Sequence, residues 1–226
     1  MRIAFISAME LELEPLLYIF KQVDTKTILQ RTFYFSNYGK TEIIFVCTGQ
    51  GKTNSSIYTQ LLISEYKIDY IINIGICGSI NPNINIFDIL VGKTYTHYDI
   101  RKKQSITKFP YKQFYSADSF LLSILKKNHN IIDCNFGTGE GFICDELEKD
   151  RLKVDFNIDC VDMESASIAQ TSYLNKIGFI SLRIVSDKAN NEAKKTTEQF
   201  QRKAMQLIQE IIQSFLNDLI NPKFKI

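Results

Sequence analysis

The chain has 226 residues, 45% hydrophobic and 23% charged, a balance that excludes wholesale disorder. At this length about 70% of the unfolded surface is buried on folding, enough for one core without disulfide or metal staples. Lysine and arginine number 27 against 25 acidic residues, and a net charge of +2 offers no field for nucleic acid or an anionic membrane.

The five cysteines, Cys47, Cys77, Cys134, Cys144 and Cys160, are odd in number and widely spaced, with no C-x-x-C. That argues against a disulfide framework or zinc site and for reduced thiols in the cytoplasm. No apolar run approaches the roughly 18 residues that span a bilayer. The apolar start at residues 1–6 meets Glu10, Glu12 and Glu14 too soon for a signal peptide, and reads as a buried first strand.

In chain order, the pattern predicts a strand at 3–7, a helix at 10–20, strands at 33–36 and 42–47, and a helix at 52–66. Strands at 70–76 and 86–95 follow, then helices at 116–127 and 145–154. A strand at 158–163, a helix at 164–175, a strand at 179–185 and a helix at 195–220 complete the chain. Several strands are continuously apolar, as strands covered on both faces should be. The last helix is the strongest: Ala204, Ile208, Ile211, Phe215 and Leu219 recur at three- and four-residue steps, and Asn221-Pro222 stops it. This alternation predicts one α/β domain over residues 1–226, with a central mixed, twisted sheet flanked by helices on both faces. The basic run Arg101-Lys102-Lys103 reads as a solvated loop, and His97 and His129 as structural or solvent-facing.

Ligands in such folds gather where strand ends become loops and helix starts. Residues 8–12, 48–52, 75–79, 162–164 and 186–187 have that placement and concentrate glycine and polar side chains. Gly49-Gln50-Gly51-Lys52-Thr53 ends like a P-loop, but Val46 stands where its first glycine belongs, so a tight strand-to-helix turn is the plainer reading. The glycines of Gly75-Ile76-Cys77-Gly78 would let a ligand approach the backbone. Glu12, Glu164 and Asp187 each follow a strand; parallel strands would bring all three to one rim. Acidic residues there also cap helices, but three of them, with Arg183 and Ser186 beside the last, point toward acid–base chemistry.

These segments carry a resemblance. Ala8-Met9-Glu10-Leu11-Glu12, Asn73-Ile74-Gly75-Ile76-Cys77-Gly78, Gly141-Phe142-Ile143, Val161-Asp162-Met163-Glu164-Ser165 and Arg183-Ile184-Val185-Ser186-Asp187 resemble, in order and spacing, motifs of the 5′-methylthioadenosine/S-adenosylhomocysteine nucleosidases. That family lies within the wider nucleoside phosphorylase-like superfamily. The resemblance implies hydrolysis of an adenine N-glycosidic bond without metal or organic cofactor, by a homodimer. It implies Glu12 as general base for water and Asp187 as the acid at adenine N7. Glu164 would hold the ribose hydroxyls, Met163 would lie against the sugar, and Arg183 would place Glu164 and water. Phe142 would stack on the base, the Ile143 backbone would read its edge, and Ser186 would orient the Asp187 loop. Met9 and Ile76 would complete the binding residues. Ile76, Gln50 and Arg101 depart from the family pattern, so a futalosine-type or 5′-deoxyadenosine substrate stays open. So do a phosphorylase and a non-catalytic nucleoside-binding module.

Overall fold

The computed structural model describes residues 1–128, 130–189 and 198–220. In chain order it contains β1 (Arg2–Ser7), α1 (Glu10–Leu17), β2 (Asp24–Ile28), β3 (Arg31–Tyr38), β4 (Thr41–Cys47), α2 (Lys52–Tyr66), β5 (Tyr70–Ser79) and β6 (Ile89–His97). Then come α3 (Lys102–Thr107), β7 (Tyr115–Ser116), α4 (Ser119–Asn128), β8 (Ile132–Thr138), α5 (Glu146–Phe156), β9 (Cys160–Asp162), α6 (Ser165–Asn175), β10 (Gly178–Asp187) and α7 (Glu198–Ile220).

The sheet is mixed, with the order β10-β6-β8-β9-β5-β1-β4-β3-β2 and a further β10–β5 pairing. That pairing closes β10, β6, β8, β9 and β5 into a ring, from which β1, β4, β3 and β2 extend as an open wing. The continuously apolar strands are indeed covered on both faces. Ile3 and Phe5 of β1 enter one cluster with α1, α4 and α7, whereas Ala4 and Ile6 enter another with α2 and α6. The stripe read on the last helix, from Ala204 to Leu219, is buried in the first cluster.

Some expectations are corrected. Arg101-Lys102-Lys103 is not a loop: Arg101 precedes the short helix α3, which buries no residue. β2 was not foreseen because every one of its side chains is exposed or half-buried, so only its antiparallel register on β3 makes it a strand. β8 was missed because Asp133, Asn135 and Gly137 interrupt its apolar residues, although Cys134 and Phe136 point into the core. His129, Asn221 and Pro222 lie outside the described residues.

The parallel-rim expectation holds for β1, β5 and β10 but not for β9, which pairs antiparallel with β5. β5 runs on to Ser79, and β9 starts opposite it, with Cys160 across from Ser79 and Val161 from Gly78. The chain therefore returns along β5, delivering the residues after Asp162 to the rim where β1 and β10 end.

Candidate active site

Glu12 sits in the first turn of α1, just past β1. Its side chain turns back: Oε2 accepts the Ala8 and Met9 N–H groups at 2.9 and 3.0 Å, and Oε1 accepts the Ile76 N–H at 3.0 Å. The bond to Met9 is what a helix cap would make, so the capping reading is half right; the bond to Ile76 on another strand is not capping. Glu12 is 1% exposed. Burial pushes its pKa up, while the Arg183 charge and the three backbone donors pull the other way, with a net rise.

Arg183 is equally buried and fully engaged. Its Nη2 donates to Asn73 Oδ1 at 2.7 Å and Glu164 Oε2 at 3.2 Å, and Nη1 donates to the Ile76 carbonyl at 3.1 Å. Asp162 lies 3.5 Å from the same guanidinium. Glu164 completes its contacts by accepting the Gly51 N–H at 3.1 Å through Oε1. Glu164 does not cap α6. Asp162 does that, its Oδ1 accepting the N–H groups of Glu164 at 3.1 Å and Ser165 at 3.0 Å and the Thr138 hydroxyl at 2.6 Å. Burial, offset by Arg183 and reinforced by Asp162 and Glu12, pushes the Glu164 pKa up to about 7.

Asp187 is aimed by a register shift between Val185 and Asp187 in the β10–β5 pairing. Its Oδ2 accepts the Ser186 hydroxyl at 2.7 Å and its Oδ1 the Ala189 N–H at 2.8 Å. Burial raises its pKa despite both bonds.

The ten residues singled out from the sequence line one cavity of about 270 Å³. Glu12, Met9, Ile76, Glu164 and Arg183 form a wall with Met163; Asp187 and Ser186 share the hollow with Phe142 and Ile143. Phe142 is 52% exposed at its rim, whereas Ile143 is buried beneath α5 with Tyr98 and Leu152. The Gly49-Gln50-Gly51 segment is the tight turn expected, with φ of +84° and +96° at its two glycines.

Sequence reasoning misplaced one function of the glycines. At Gly75 the backbone is approached by the site's own side chains, since an added Cβ would sit 2.5 Å from Glu12 Oε1 and against Arg183 Nη1. It also missed the supporting polar residues. Asn73 Oδ1 accepts from both Arg183 and the Ser181 hydroxyl, at 2.7 and 2.8 Å, and its Nδ2 donates to the Ile6 carbonyl at 3.0 Å. The available signal was a lone Asn and a lone Ser inside otherwise apolar strands. Tyr98, whose hydroxyl donates to the Gly141 carbonyl at 2.9 Å, and Gln201 of α7 also line the cavity and carry no local signature. His97, with Nε2 3.0 Å from Gln170 Oε1, is a structural residue outside the cavity. Among the described residues no three His, Cys, Asp or Glu side chains are grouped to hold a metal ion.

The mixed sheet closes into a ring with buried carboxylates and a guanidinium at its strand ends, and residues 2–217 match the phosphorylase superfamily. The chain belongs to that superfamily and, within it, to the 5′-methylthioadenosine/S-adenosylhomocysteine nucleosidase family. It is 32% identical to the enzyme of that name from Maridesulfovibrio salexigens over 235 residues, covering 97% of this chain and 100% of the relative. It is 29% identical to an aminodeoxyfutalosine nucleosidase from Campylobacter jejuni, covering 88% and 91% of the two chains. The structure of a Streptococcus pyogenes S-adenosylhomocysteine nucleosidase in complex with 5-methylthiotubericidin superposes with a TM-score of 0.89 at 28% identity, covering 97% of each chain.

Proposed function

We propose that this protein hydrolyses the N-glycosidic bond of 5′-methylthioadenosine, S-adenosylhomocysteine or both, releasing adenine and a 5-thio-substituted ribose. The observation that carries the reading is the pairing, in one cavity, of Glu12, held by three backbone N–H groups, with Asp187, a carboxyl fixed by the Ser186 hydroxyl and the Ala189 N–H and raised in pKa by burial. Breaking the bond builds positive charge on the ribose and negative charge on the purine. A carboxylate by the sugar and an acid by the base answer both, each commonly contributing about 10²–10⁴ in rate.

In this reading Glu12 is the general base. A carboxylate has about four acceptor sites, so three backbone bonds leave room for a water proton. Asp187 protonates adenine N7, with the Ser186 hydroxyl fixing its carboxyl. Glu164 accepts the ribose hydroxyls while Arg183 holds it in place, and Met9, Met163 and Ile76 give the sugar apolar contact. Phe142 stacks on the base and the Ile143 backbone reads its edge.

Water is favoured over phosphate as nucleophile. Among the described residues Arg183 is the one cation lining the cavity, and Glu164, Asp162 and Asn73 already engage it. With Glu12, Asp162 and Glu164 on the same wall, a phosphate dianion would meet uncompensated repulsion.

The reading extends to a cytoplasmic homodimer acting in methionine salvage. Phe142, Phe109 and Tyr111 expose apolar surface that a second copy would cover, and all five cysteines are free thiols. No helix among the described residues is long and apolar enough to cross a membrane.

The test is adenine release from both nucleosides with and without phosphate. Equal release in both conditions, with a free reducing sugar, is expected. A ribose 1-phosphate product overturns hydrolysis, and binding without adenine release makes the protein a nucleoside-binding module.

A further inference from the structure

Three charged side chains outside the cavity tie its edges together. Lys52 opens α2 directly after Gly51, Asp99 follows β6, and Glu140 follows β8. None of the three is a lining residue of the cavity. Lys52 Nζ donates to both Asp99 oxygens, at 2.6 and 2.7 Å, and Asp99 Oδ2 also accepts the Glu140 N–H at 3.1 Å. Glu140 closes the ring through its own side chain, its Oε1 accepting the Lys52 N–H at 2.9 Å. Its Oε2 lies over Gly51, where an added Cβ would sit 2.6 Å away.

These bonds join segments 41, 47 and 88 residues apart in the chain. A helix cap needs one local acceptor, and a cation at the first residue of a helix opposes the helix dipole. Neither explains a lysine held by carboxylates from two other strand ends. What the ring fixes is position. On one side it holds the turn whose Gly51 N–H is bound by Glu164 at 3.1 Å. On the other it holds the start of the segment that carries Phe142 and Ile143. Asp99 takes the Glu140 N–H there, and its neighbour Tyr98 donates to the Gly141 carbonyl at 2.9 Å.

We infer that Lys52, Asp99 and Glu140 form a clamp, with Asp99 as its hub, that sets the carboxylate assigned to the ribose against the segment assigned to the base. Asp99 is a positioning residue: it acts through Lys52 and Glu140 and touches no substrate atom. The Lys52 and Asp99 side chains are 20% and 29% exposed, and a pair so placed adds little to stability. Its value lies in geometry, since a displacement of about 1 Å in a binding group costs about 10²-fold in rate. This inference rests on the nucleosidase reading and adds to it residues that lie outside the cavity.

The experiment measures kcat and KM for adenine release from 5′-methylthioadenosine, the Kd of free adenine by calorimetry, and melting curves. The proteins are wild type, Asp99→Ala, Lys52→Met and the double variant. Asp99→Ala is expected to melt close to wild type yet lose about ten- to hundredfold in kcat/KM. KM and the adenine Kd should rise together as the base segment loosens, and kcat should fall as Glu164 loses its register. Lys52→Met should lose about three- to tenfold, because Asp99 still holds Glu140. The double variant should lose no more than Asp99→Ala, since both changes open one clamp. A folded Asp99→Ala within about twofold of wild type in kcat/KM and adenine affinity overturns the inference, as does a double variant whose loss is the product of the two single losses. If Asp99→Ala does not fold, Lys52→Met decides by the same criterion. A wild type that releases no adenine removes the nucleosidase reading itself, and the adenine Kd ratios then decide the clamp, so the two failures are distinct.

Discussion

Glu164 and Arg183 form an ion pair of 3.2 Å in which the side chains are 5% and 1% exposed. They are 19 residues apart in sequence, on the loop after β9 and within β10, and meet only because the sheet curls back on itself. Three carboxylates, Glu12, Asp162 and Glu164, share this one guanidinium, and all four side chains are buried.

Replacing Arg183 therefore strands several buried anions at once. Arg183→Met should lower stability by about 3–5 kcal/mol, the usual cost of breaking a buried pair from one side. Denaturant unfolding of the purified variant measures it; a loss below about 1 kcal/mol would mean that the carboxylates do not depend on this cation.

Glu164 should make stability pH-dependent. Its pKa rises from 4.5 to about 7 on folding, so the folded state binds the proton more tightly. The sign follows: its contribution is fully present below about pH 4.5 and is lost as pH rises through about 7, by an amount on the order of 3 kcal/mol. Wild type should lose more stability than Glu164→Gln between pH 5 and 8. Parallel curves for the two proteins would contradict this.

The same titration bears on rate. In the role proposed for it, only the ionised Glu164 would accept both ribose hydroxyls, so kcat/KM should climb with pH through about 7. Glu164→Gln should lack that limb and lose about 10²-fold or more at neutral pH.

Glu12→Gln and Asp187→Asn should each slow adenine release by about 10²–10⁴-fold. Their stabilities should diverge. Glu12→Gln places an NH₂ against backbone N–H donors and should destabilise by about 1–3 kcal/mol. Asp187→Asn relieves a carboxyl whose pKa burial raises, and should melt within about 1 kcal/mol of wild type. Calorimetry alongside the rate assay separates the two effects.

Gly75→Ala tests the packing of the site without replacing an ionisable residue. The new methyl would lie 2.5 Å from Glu12 Oε1 and against Arg183 Nη1. Both side chains are pinned by the hydrogen bonds described above, and moving aside breaks them, so about 1–3 kcal/mol of stability and most of the activity should be lost together. A stable, active alanine variant would show that Glu12 and Arg183 can move apart without harm.

The sheet-and-helix alternation was legible because it rests on local regularities. Runs such as Ile71-Ile72 and the spacing of Ile208, Ile211 and Phe215 record burial on both strand faces and on one helix face. β2 and β8 were illegible for the converse reason: one is an exposed edge and the other is interrupted by polar residues, so their identity lies in their partners. The acids at strand ends were also visible, since each sits in a short motif.

What the sequence by itself determined is thus the layered α/β core and the set of side chains that gather in one cavity, because local periodicity and short motifs encode both. Only the tertiary structure decided how those side chains are charged and held. The β10–β5 closure brings Glu12 and Arg183 onto the Ile76 backbone and Arg183 onto Glu164, and the burial it creates raises the pKa of Glu164 and Asp187. Proton affinity depends on the dielectric and charges within a few ångströms, and contacts such as Gly51 with Glu164 and Asn73 with Arg183 join segments more than a hundred residues apart in the chain.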